Sequence, residues 1–284
     1  MKDAMVKAAV LTEALPYIKE HFDKTVVVKY GGNAMTEEKL KEMIADDIVL
    51  MKYVGMNPVV VHGGGPEISK YMKKAGKEVK FVEGLRVTDE ETMDIVKTVL
   101  VEKVNRELVA LLNRHGSLAA GVSGEDGGLI RAKKKQSKVD LGFVGEVENI
   151  EPKILKDLIE DGFIPVIATV GIGSDGMSYN INADIVAGEI AAAIGADKII
   201  FLTDVAGLYR DYDDKESLIS ELSVTECRKI VADKAVSSGM LPKLEGCLKA
   251  LEGGIARAHI LDGTIEHALL LEVFTKEGVG TMIP

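Results

Sequence analysis

Apolar residues are distributed along this chain in two rhythms. Short unbroken runs rich in valine and isoleucine each stop at glycine: TVVVKYGG at 25–32, PVVVHGGG at 58–65, FIPVIATVGIG at 163–173, KIIFLTDVAG at 198–207 and AHILDG at 258–263. A run without polar alternation belongs to a strand covered on both faces, as in a parallel sheet between helix layers, and the intervening segments are long enough for crossover helices. The second rhythm is helical. Leu40, Ile44, Ile48 and Met51 recur on one face of a helix closed by Gly55, and another helix starts at Thr88, with Glu91 completing a capping box, and stops at Gly116. The expected fold is α/β, a doubly wound and mainly parallel sheet sandwiched by helices, in two lobes.

Other stretches refine this outline. Glycines at 121, 124, 127, 128, 142 and 145 make 119–148 read as hairpin strands set outside the parallel sheet, with the lysines at 133–135 on a solvated face. The lobe boundary is expected near residue 195, on the helix after Asp184, giving lobes 25–195 and 196–284. Ahead of them, Met5, Ala8, Leu11, Leu15, Ile18 and Phe22 recur at helical spacing, with Pro16 kinking the segment 1–24. Such a helix either packs on its own domain or exchanges with a partner subunit; spacing alone favours the former.

At 284 residues the chain can bury one large core or two. Its net charge of −10 argues against nucleic acid and anionic membranes as partners, because both need a basic face, so any bound phosphate has to be handled by local groups. Cys227 and Cys247 lie in helix-like stretches without C-x-x-C spacing, which suggests neither a zinc site nor a disulfide, and no metal site on the protein is expected. The N-terminus lacks an apolar core of signal-peptide length, and no 18-residue uncharged apolar span occurs. The expectation is a soluble, cytoplasmic protein.

In parallel sheets ligands sit beyond the carboxyl ends of the strands, where the glycine clusters fall. HGGG at 62–65 matches an esterase oxyanion-hole motif, but no G-x-S-x-G elbow accompanies it; GVSGE around Ser123 fails at its last position. GIGSDG at 171–176 spells G-x-G-x-x-G, yet MSYNIN separates it from any helix, so a turn explains it better than a dinucleotide site. There is also no Walker motif. What remains is a pair of strand-end loops, KYGG with Lys29 and HGGGP, whose backbone N–H groups suit anionic oxygens and beside which Lys29 adds a point charge. His62 is expected to make a structural hydrogen bond.

Six ordered motifs extend this reading: VVVKYGGNAM, VVVHGGGPEI, GLRVTDEETM, GMSYNINADIVAGEIA, FLTDVAGLY and SGMLPKLEG. From about residue 25 to its end the chain resembles the amino acid kinase family, and within it the branch that phosphorylates the γ-carboxylate of N-acetyl-L-glutamate with ATP, an early step of arginine synthesis. The resemblance implies a first lobe for the amino acid and a second for ATP, with Mg²⁺ carried by the nucleotide. It makes Lys29 and Lys243 the lysines that stabilise the transferring phosphoryl group and Asp184 the aspartate that orients them. Gly64 and Gly65 would hold the reacting end of the substrate, Arg86 its α-carboxylate, and Asn180 would contact it too. Gly31 and Gly32 would line the nucleotide phosphates, and Thr203, Asp204, Gly207 and Tyr209 the adenine nucleotide.

The residues carry plainer readings as well. Asp184 opens a helix behind Asn182, where a cap and a first-turn acid are favourable for structural reasons alone. Lys243 opens a helix after Pro242, an unfavourable place for a cation. The chemistry itself needs no general base, because a γ-carboxylate with a pKa of about 4.3 is ionised at pH 7. It needs positioning and fixed positive charge.

Family members with an N-terminal helix resembling residues 1–24 are inhibited by arginine, and those helices interlace dimers into a hexamer; some relatives bind a PII-type signalling protein. The segment 256–280 resembles the arginine-binding segment, with His259, Glu272 and Gly278 as effector contacts. Glu102 departs from the pattern, standing where a glycine is expected. The competing readings are a kinase for another acceptor (glutamate, aspartate, an aminoadipate derivative, carbamate or UMP) and a catalytically idle arginine sensor. GLRVTD with NINAD favours an N-acylated amino acid.

Overall fold

Four of the five unbroken apolar runs each form one strand, and the fifth, 163–173, forms two. The computed structural model describes residues 1–35, 37–211, 214–275 and 278–284, with the side chains of all these except residues 2, 3, 6, 7, 33, 34 and 215. Among them the strands are β1 (Thr25–Tyr30), β2 (Asn57–His62), β3 (Phe81–Val82), β4 (Leu85–Arg86), β5 (Ala119–Ser123), β6 (Ile130–Lys134), β7 (Gly145–Ile150), β8 (Ile164–Ala168), β9 (Val170–Gly173), β10 (Ser178–Asn180), β11 (Lys198–Thr203), β12 (Arg257–Asp262) and β13 (Thr281–Ile283). The helices are α1 (Lys2–Glu13), α2 (Leu15–His21), α3 (Glu38–Tyr53), α4 (Gly65–Lys74), α5 (Glu90–Lys97), α6 (Arg106–Leu112), α7 (Lys153–Glu160), α8 (Ala183–Ile194), α9 (Val224–Asp233), α10 (Leu241–Glu252) and α11 (Ala268–Phe274).

Seven strands form one sheet in the order β13-β12-β11-β1-β2-β8-β5, parallel except for β13. Because β2 and β11 flank β1 on opposite sides, the loops after all three open at one carboxyl-terminal edge, the place where such sheets hold ligands. Alternation along the strands sorts the core. Val26, Val28 and Tyr30 of β1 and Val60 of β2 face a layer that includes Ile44, Ile48 and Met51 of α3. Val27, Val59 and Val61 face one that includes Val186 and Ile190 of α8 and Leu244 and Leu248 of α10. Successive strand residues point to opposite faces, so Lys29 projects toward α8 and α10 while His62 projects to the other side.

The stretch 119–148 is not wholly outside the parallel sheet. Ala119–Ser123 is its edge strand, paired with β8, and only β6 and β7 leave for a smaller sheet ordered β10-β9-β6-β7. Gly121 signals no turn: it lies within β5, and a Cβ there would run into the Asn105 side chain. The run 163–173, which reads as one strand, divides at Thr169, after which β9 joins the smaller sheet. The helix cap also moves by one residue, and with Thr92 at the third helical position the expected capping box gives way to a single side-chain cap. Asp89 caps α5, accepting from Thr92 N at 2.8 Å, whereas Thr88 is held in a bridge to Gly142. Beyond α5 the helix continues through a π-helical turn, Thr98–Asn105, into α6. Glu102, the departure noted above, is exposed there and pairs with Arg106 at 2.8 Å.

The N-terminal segment bends where proline requires: α1 and α2 meet at Ala14, with Pro16 in the first turn of α2. Met5, Val10 and Leu11 of α1 are exposed at 66%, 58% and 72%, so these apolar groups are not packed on the domain. Cys227 and Cys247 are buried and free on α9 and α10. Among the described residues no helix is long and apolar enough to cross a membrane.

One helix contact positions the functional groups. Gly188 of α8 meets Gly246 of α10: a Cβ on Gly188 would strike the Gly246 carbonyl, and one on Gly246 would strike the carbonyl of Asp184. Glycine at this crossing lets the two backbones touch. Gly246→Ala should gain about 1 kcal/mol in helix propensity, but overlap with a backbone carbonyl cannot be relieved by a rotamer change. Overpacking of this kind costs about 1–3 kcal/mol, so denaturant unfolding should show a less stable variant; equal or greater stability would mean that the helices do not need this contact.

Candidate active site

At the carboxyl end of β1 the side chain of Lys29 is buried against the start of α8, its Nζ 2.8 Å from Asp184 Oδ1. Lys243, in the first turn of α10, brings its Nζ to 3.3 Å from the other carboxylate oxygen and donates to Gly239 O at 3.3 Å. Asn182 caps α8, its Oδ1 accepting from Asp184 N at 2.8 Å, which sets where the carboxylate stands. Burial by itself would raise the Asp184 carboxyl, but the two ammonium groups outweigh it and hold the carboxyl below its ordinary value. Burial, helped by the nearness of Lys243, draws Lys29 below the ordinary lysine value against the pull of Asp184. One buried carboxylate thus organises two cations. A Cβ on Gly31 would lie 2.5 Å from Lys29 Nζ, so the glycine after the strand leaves room for the lysine to reach Asp184.

This triad lies between two cavities. The smaller, about 230 Å³, is lined by Lys29, Gly31, Gly32, Gly64, Gly65, Arg86, Asn180 and Asp184, which brings the expected substrate residues together. Gly31 and Gly32, expected at the nucleotide phosphates, border this cavity too. Gly65 starts α4, so the Gly64–Gly65 backbone stands at the positive end of a helix dipole. A Cβ on Gly65 would meet nothing within 4 Å, whereas one on Gly64 would overlap Leu100. Substitution at 65 therefore fills the cavity, and substitution at 64 also disturbs the core.

Arg86 is 6% exposed, and among the described residues no carboxylate pairs with it. Its Nη2 donates to Gly65 O at 2.9 Å and Ser69 Oγ at 2.8 Å, Nη1 to Met72 Sδ at 3.2 Å, and its guanidinium lies 4.7 Å from the Phe81 ring centroid. Burial pushes its pKa down to about 10, leaving a cation at neutral pH with no anionic partner among the described residues. That charge suits an anionic ligand. Asn180 Nδ2 donates to Thr88 Oγ1 at 3.2 Å.

The larger cavity, about 720 Å³, is lined by Thr203, Asp204, Gly207 and Tyr209, by Arg210, by the 234–240 loop and by Lys243. Lys243 borders it while touching Asp184 of the smaller cavity, so the triad joins the two spaces.

The amino acid kinase family model matches residues 24–262. The chain belongs to the amino acid kinase family. It is 53% identical over 281 residues to the acetylglutamate kinase of Caldanaerobacter subterraneus subsp. tengcongensis, covering 99% of this chain and 94% of that one. It is 54% identical to the acetylglutamate kinase of Pelotomaculum thermopropionicum, covering 98% and 97%. Among solved structures it is similar to N-acetylglutamate synthase from Neisseria gonorrhoeae. The complex of that protein with coenzyme A and N-acetyl-glutamate superposes with a TM-score of 0.84 at 27% identity, covering 97% of this chain and 63% of the synthase. Its complex with coenzyme A and L-arginine gives 0.80 at 25% identity, covering 97% and 65%. This chain therefore spans less than two thirds of the synthase.

In this amino acid kinase a third cavity, about 430 Å³, brings together His259, Glu272 and Gly278 with Tyr17, Glu20 and His21 of α2 and the cations Lys198 and Arg257. His259 Nδ1 donates to Glu272 Oε1 at 2.7 Å, and Val279 N donates to Glu272 Oε2 at 3.1 Å. Burial would raise Glu272, but His259 outweighs it and keeps the carboxyl below its ordinary value. Residues 276 and 277 of the segment 256–280 lie outside the described residues.

Sequence reasoning missed residues that support the site without lining it, among them Ser69, which accepts from Arg86. Ser69 lies one helical turn after Gly65, where i to i+4 spacing could have flagged it, and the Gly188–Gly246 crossing leaves only the signal of glycines inside helices. His62 is structural as expected. Its Nδ1 donates to Gly63 O at 2.9 Å, its Nε2 accepts from Asn105 Nδ2 at 3.1 Å, and burial pushes its pKa down to about 4. Against an ordinary value of 6.5, the unfolded chain binds the extra proton between these pH values, so stability falls as pH falls from 6.5 toward 4. Relative to a His62→Gln variant, the protein should lose about 3 kcal/mol of unfolding free energy across that window. A difference between the two denaturation series that does not change with pH would show that the ring titrates normally.

Proposed function

We propose that this amino acid kinase transfers the terminal phosphoryl group of MgATP to the γ-carboxylate of N-acetyl-L-glutamate, releasing ADP and N-acetyl-γ-glutamyl phosphate in arginine synthesis. Its full-length relatives carry the name acetylglutamate kinase. The observation that carries the reading is a buried carboxylate holding two lysines between a cavity of acyl-amino-acid size and one of nucleotide size. In this account the acceptor carboxylate, already ionised, attacks the terminal phosphorus and the bond to the β-phosphate oxygen breaks, leaving its electron pair on ADP. Lys29 and Lys243 counter the charge on the transferring group, and Asp184 keeps both in place. Gly64 and Gly65 meet the reacting end of the acceptor, Arg86 its α-carboxylate and Asn180 its acylamino end. Gly31 and Gly32 face the phosphates, and Thr203, Asp204, Gly207 and Tyr209 face the nucleoside. Residues 25–195 act as the acceptor lobe and 196–284 as the nucleotide lobe.

The third cavity acts in this reading as an arginine site that inhibits the enzyme. It is supported by the Glu272 carboxylate, suited to a guanidinium, by Lys198 and Arg257, suited to a carboxylate, and by the arginine complex of the similar synthase. The exposed apolar residues of α1 act in subunit exchange, assembling dimers into a hexamer.

Lys29→Ala and Lys243→Ala should each lower kcat by about 10² to 10³ with the fold retained, the usual cost of losing one aimed donor; near-normal turnover in either would remove it from the mechanism. Arg86→Ala should raise KM for the acceptor far more than KM for ATP, read by ADP release over a panel of carboxylate acceptors. Equal turnover of glutamate and N-acetylglutamate by the unmodified enzyme would reject the acceptor assignment. Removing residues 1–24 should lower the oligomeric state and relieve arginine inhibition, since α2 walls the third cavity; a truncated protein that is still hexameric and fully inhibited would contradict both roles.

A further inference from the structure

Thr88, displaced from its expected cap by Asp89, is fully buried, and its hydroxyl lies against Arg86 and Asn180, two residues that line the smaller cavity. Its Oγ1 donates to Arg86 O at 2.8 Å. A carbonyl oxygen can only accept, so the single hydroxyl hydrogen is committed there, and toward Asn180 the oxygen can offer only a lone pair. The Asn180 atom at 3.2 Å must therefore be the amide nitrogen, which leaves Oδ1 as the free end of that side chain at the cavity. The direction of one hydroxyl thus decides which end of the neighbouring amide meets a ligand.

The surroundings hold this arrangement. The segment 141–144 is wedged between the two residues. Thr88 N donates to Leu141 O at 2.9 Å, Phe143 N donates to Thr88 O at 2.6 Å, and Asn180 N donates to Phe143 O at 2.9 Å. Gly142 allows the wedge to close, for its φ is +70° and a Cβ would run into the Thr88 carbonyl. The β-branched side chain of Thr88 restricts χ1, so the hydroxyl has little freedom to turn away.

We propose that Thr88 is a positioning residue for acceptor selectivity: its hydroxyl fixes the Asn180 amide with Oδ1 outward, so that the site requires a hydrogen-bond donor, the N–H of an acylamino group, on the acceptor. The inference rests on the acceptor reading given above. It separates Thr88 from Arg86, which meets the charge of the α-carboxylate; Thr88 governs the polarity of the group beside it.

The test compares N-acetyl-L-glutamate with its ester counterpart, 2-acetoxyglutarate, in which an accepting oxygen replaces the N–H. The unmodified enzyme should show a kcat/KM for the ester lower by at least about tenfold, the effect of one mispaired polar group; equal values would overturn the proposal without any variant. Thr88→Val, which keeps the shape and removes the hydroxyl, should raise KM for N-acetyl-L-glutamate by about tenfold, leave KM for ATP unchanged and shrink the discrimination against the ester. Thr88→Ser, which keeps the hydroxyl, should restore both KM and discrimination. A Thr88→Val enzyme indistinguishable from the unmodified one, or a Thr88→Ser enzyme as impaired as Thr88→Val, would overturn the proposal. Failure of the unmodified enzyme to phosphorylate N-acetyl-L-glutamate at all would instead overturn the acceptor reading.

Discussion

The site depends on one buried carboxylate. Asp184 is almost enclosed, and an isolated charge in that position would be severely destabilising unless neutralised or paired. Its pairing with Lys29 and Lys243 answers that cost and leaves the cluster with one positive charge in excess, beside two cavities. Removing any member strands the others: without Asp184 two ammonium groups face each other, and without the lysines a carboxylate is buried alone. Electrostatic necessity thus ties together residues separated by more than two hundred positions.

Much of the nearby backbone exists to let that cluster form. The helix crossing at Gly188 and Gly246 brings α10 close enough for Lys243 to reach Asp184, and Gly31 clears the way for Lys29. Asn182 satisfies the first N–H groups of α8 and so sets the carboxylate at the mouth of the sheet. On a chain with a net charge of −10, phosphate recognition has to be confined to such points, where positive side chains, glycine N–H groups and a helix start converge.

The third cavity is built on the same economy of buried pairs. Glu272 of α11 is held by His259 of β12, while at the other end of the same helix His267 Nδ1 lies 2.6 Å from Asp47 Oδ1 of α3. Burial raises the Asp47 carboxyl to about 6 against the opposing pull of His267. Helix α11 is therefore fastened at both ends by a histidine and a carboxylate, one pair at the cavity and one at the layer that covers the sheet.

What was legible in the sequence is what local physics dictates. Unbroken valine runs can be stable only when covered on both faces, so the parallel sheet followed, and with it the opening of the glycine loops at one edge. Strand alternation even sets the side of the sheet on which Lys29 and His62 lie. The ordered motifs carried the family and its candidate residues. Where local signals were ambiguous, long-range contacts decided: Gly121 looked like a turn but makes room for Asn105, Thr88 looked like a cap but was outcompeted by Asp89 next to it, and one apolar run split at Thr169 between two sheets. The meeting of Lys29, Asp184 and Lys243, the burial of Arg86 without a carboxylate partner among the described residues and the direction of the Thr88 hydroxyl belong to the tertiary structure alone, because each depends on desolvation and on partners remote in the chain, which no window of sequence contains.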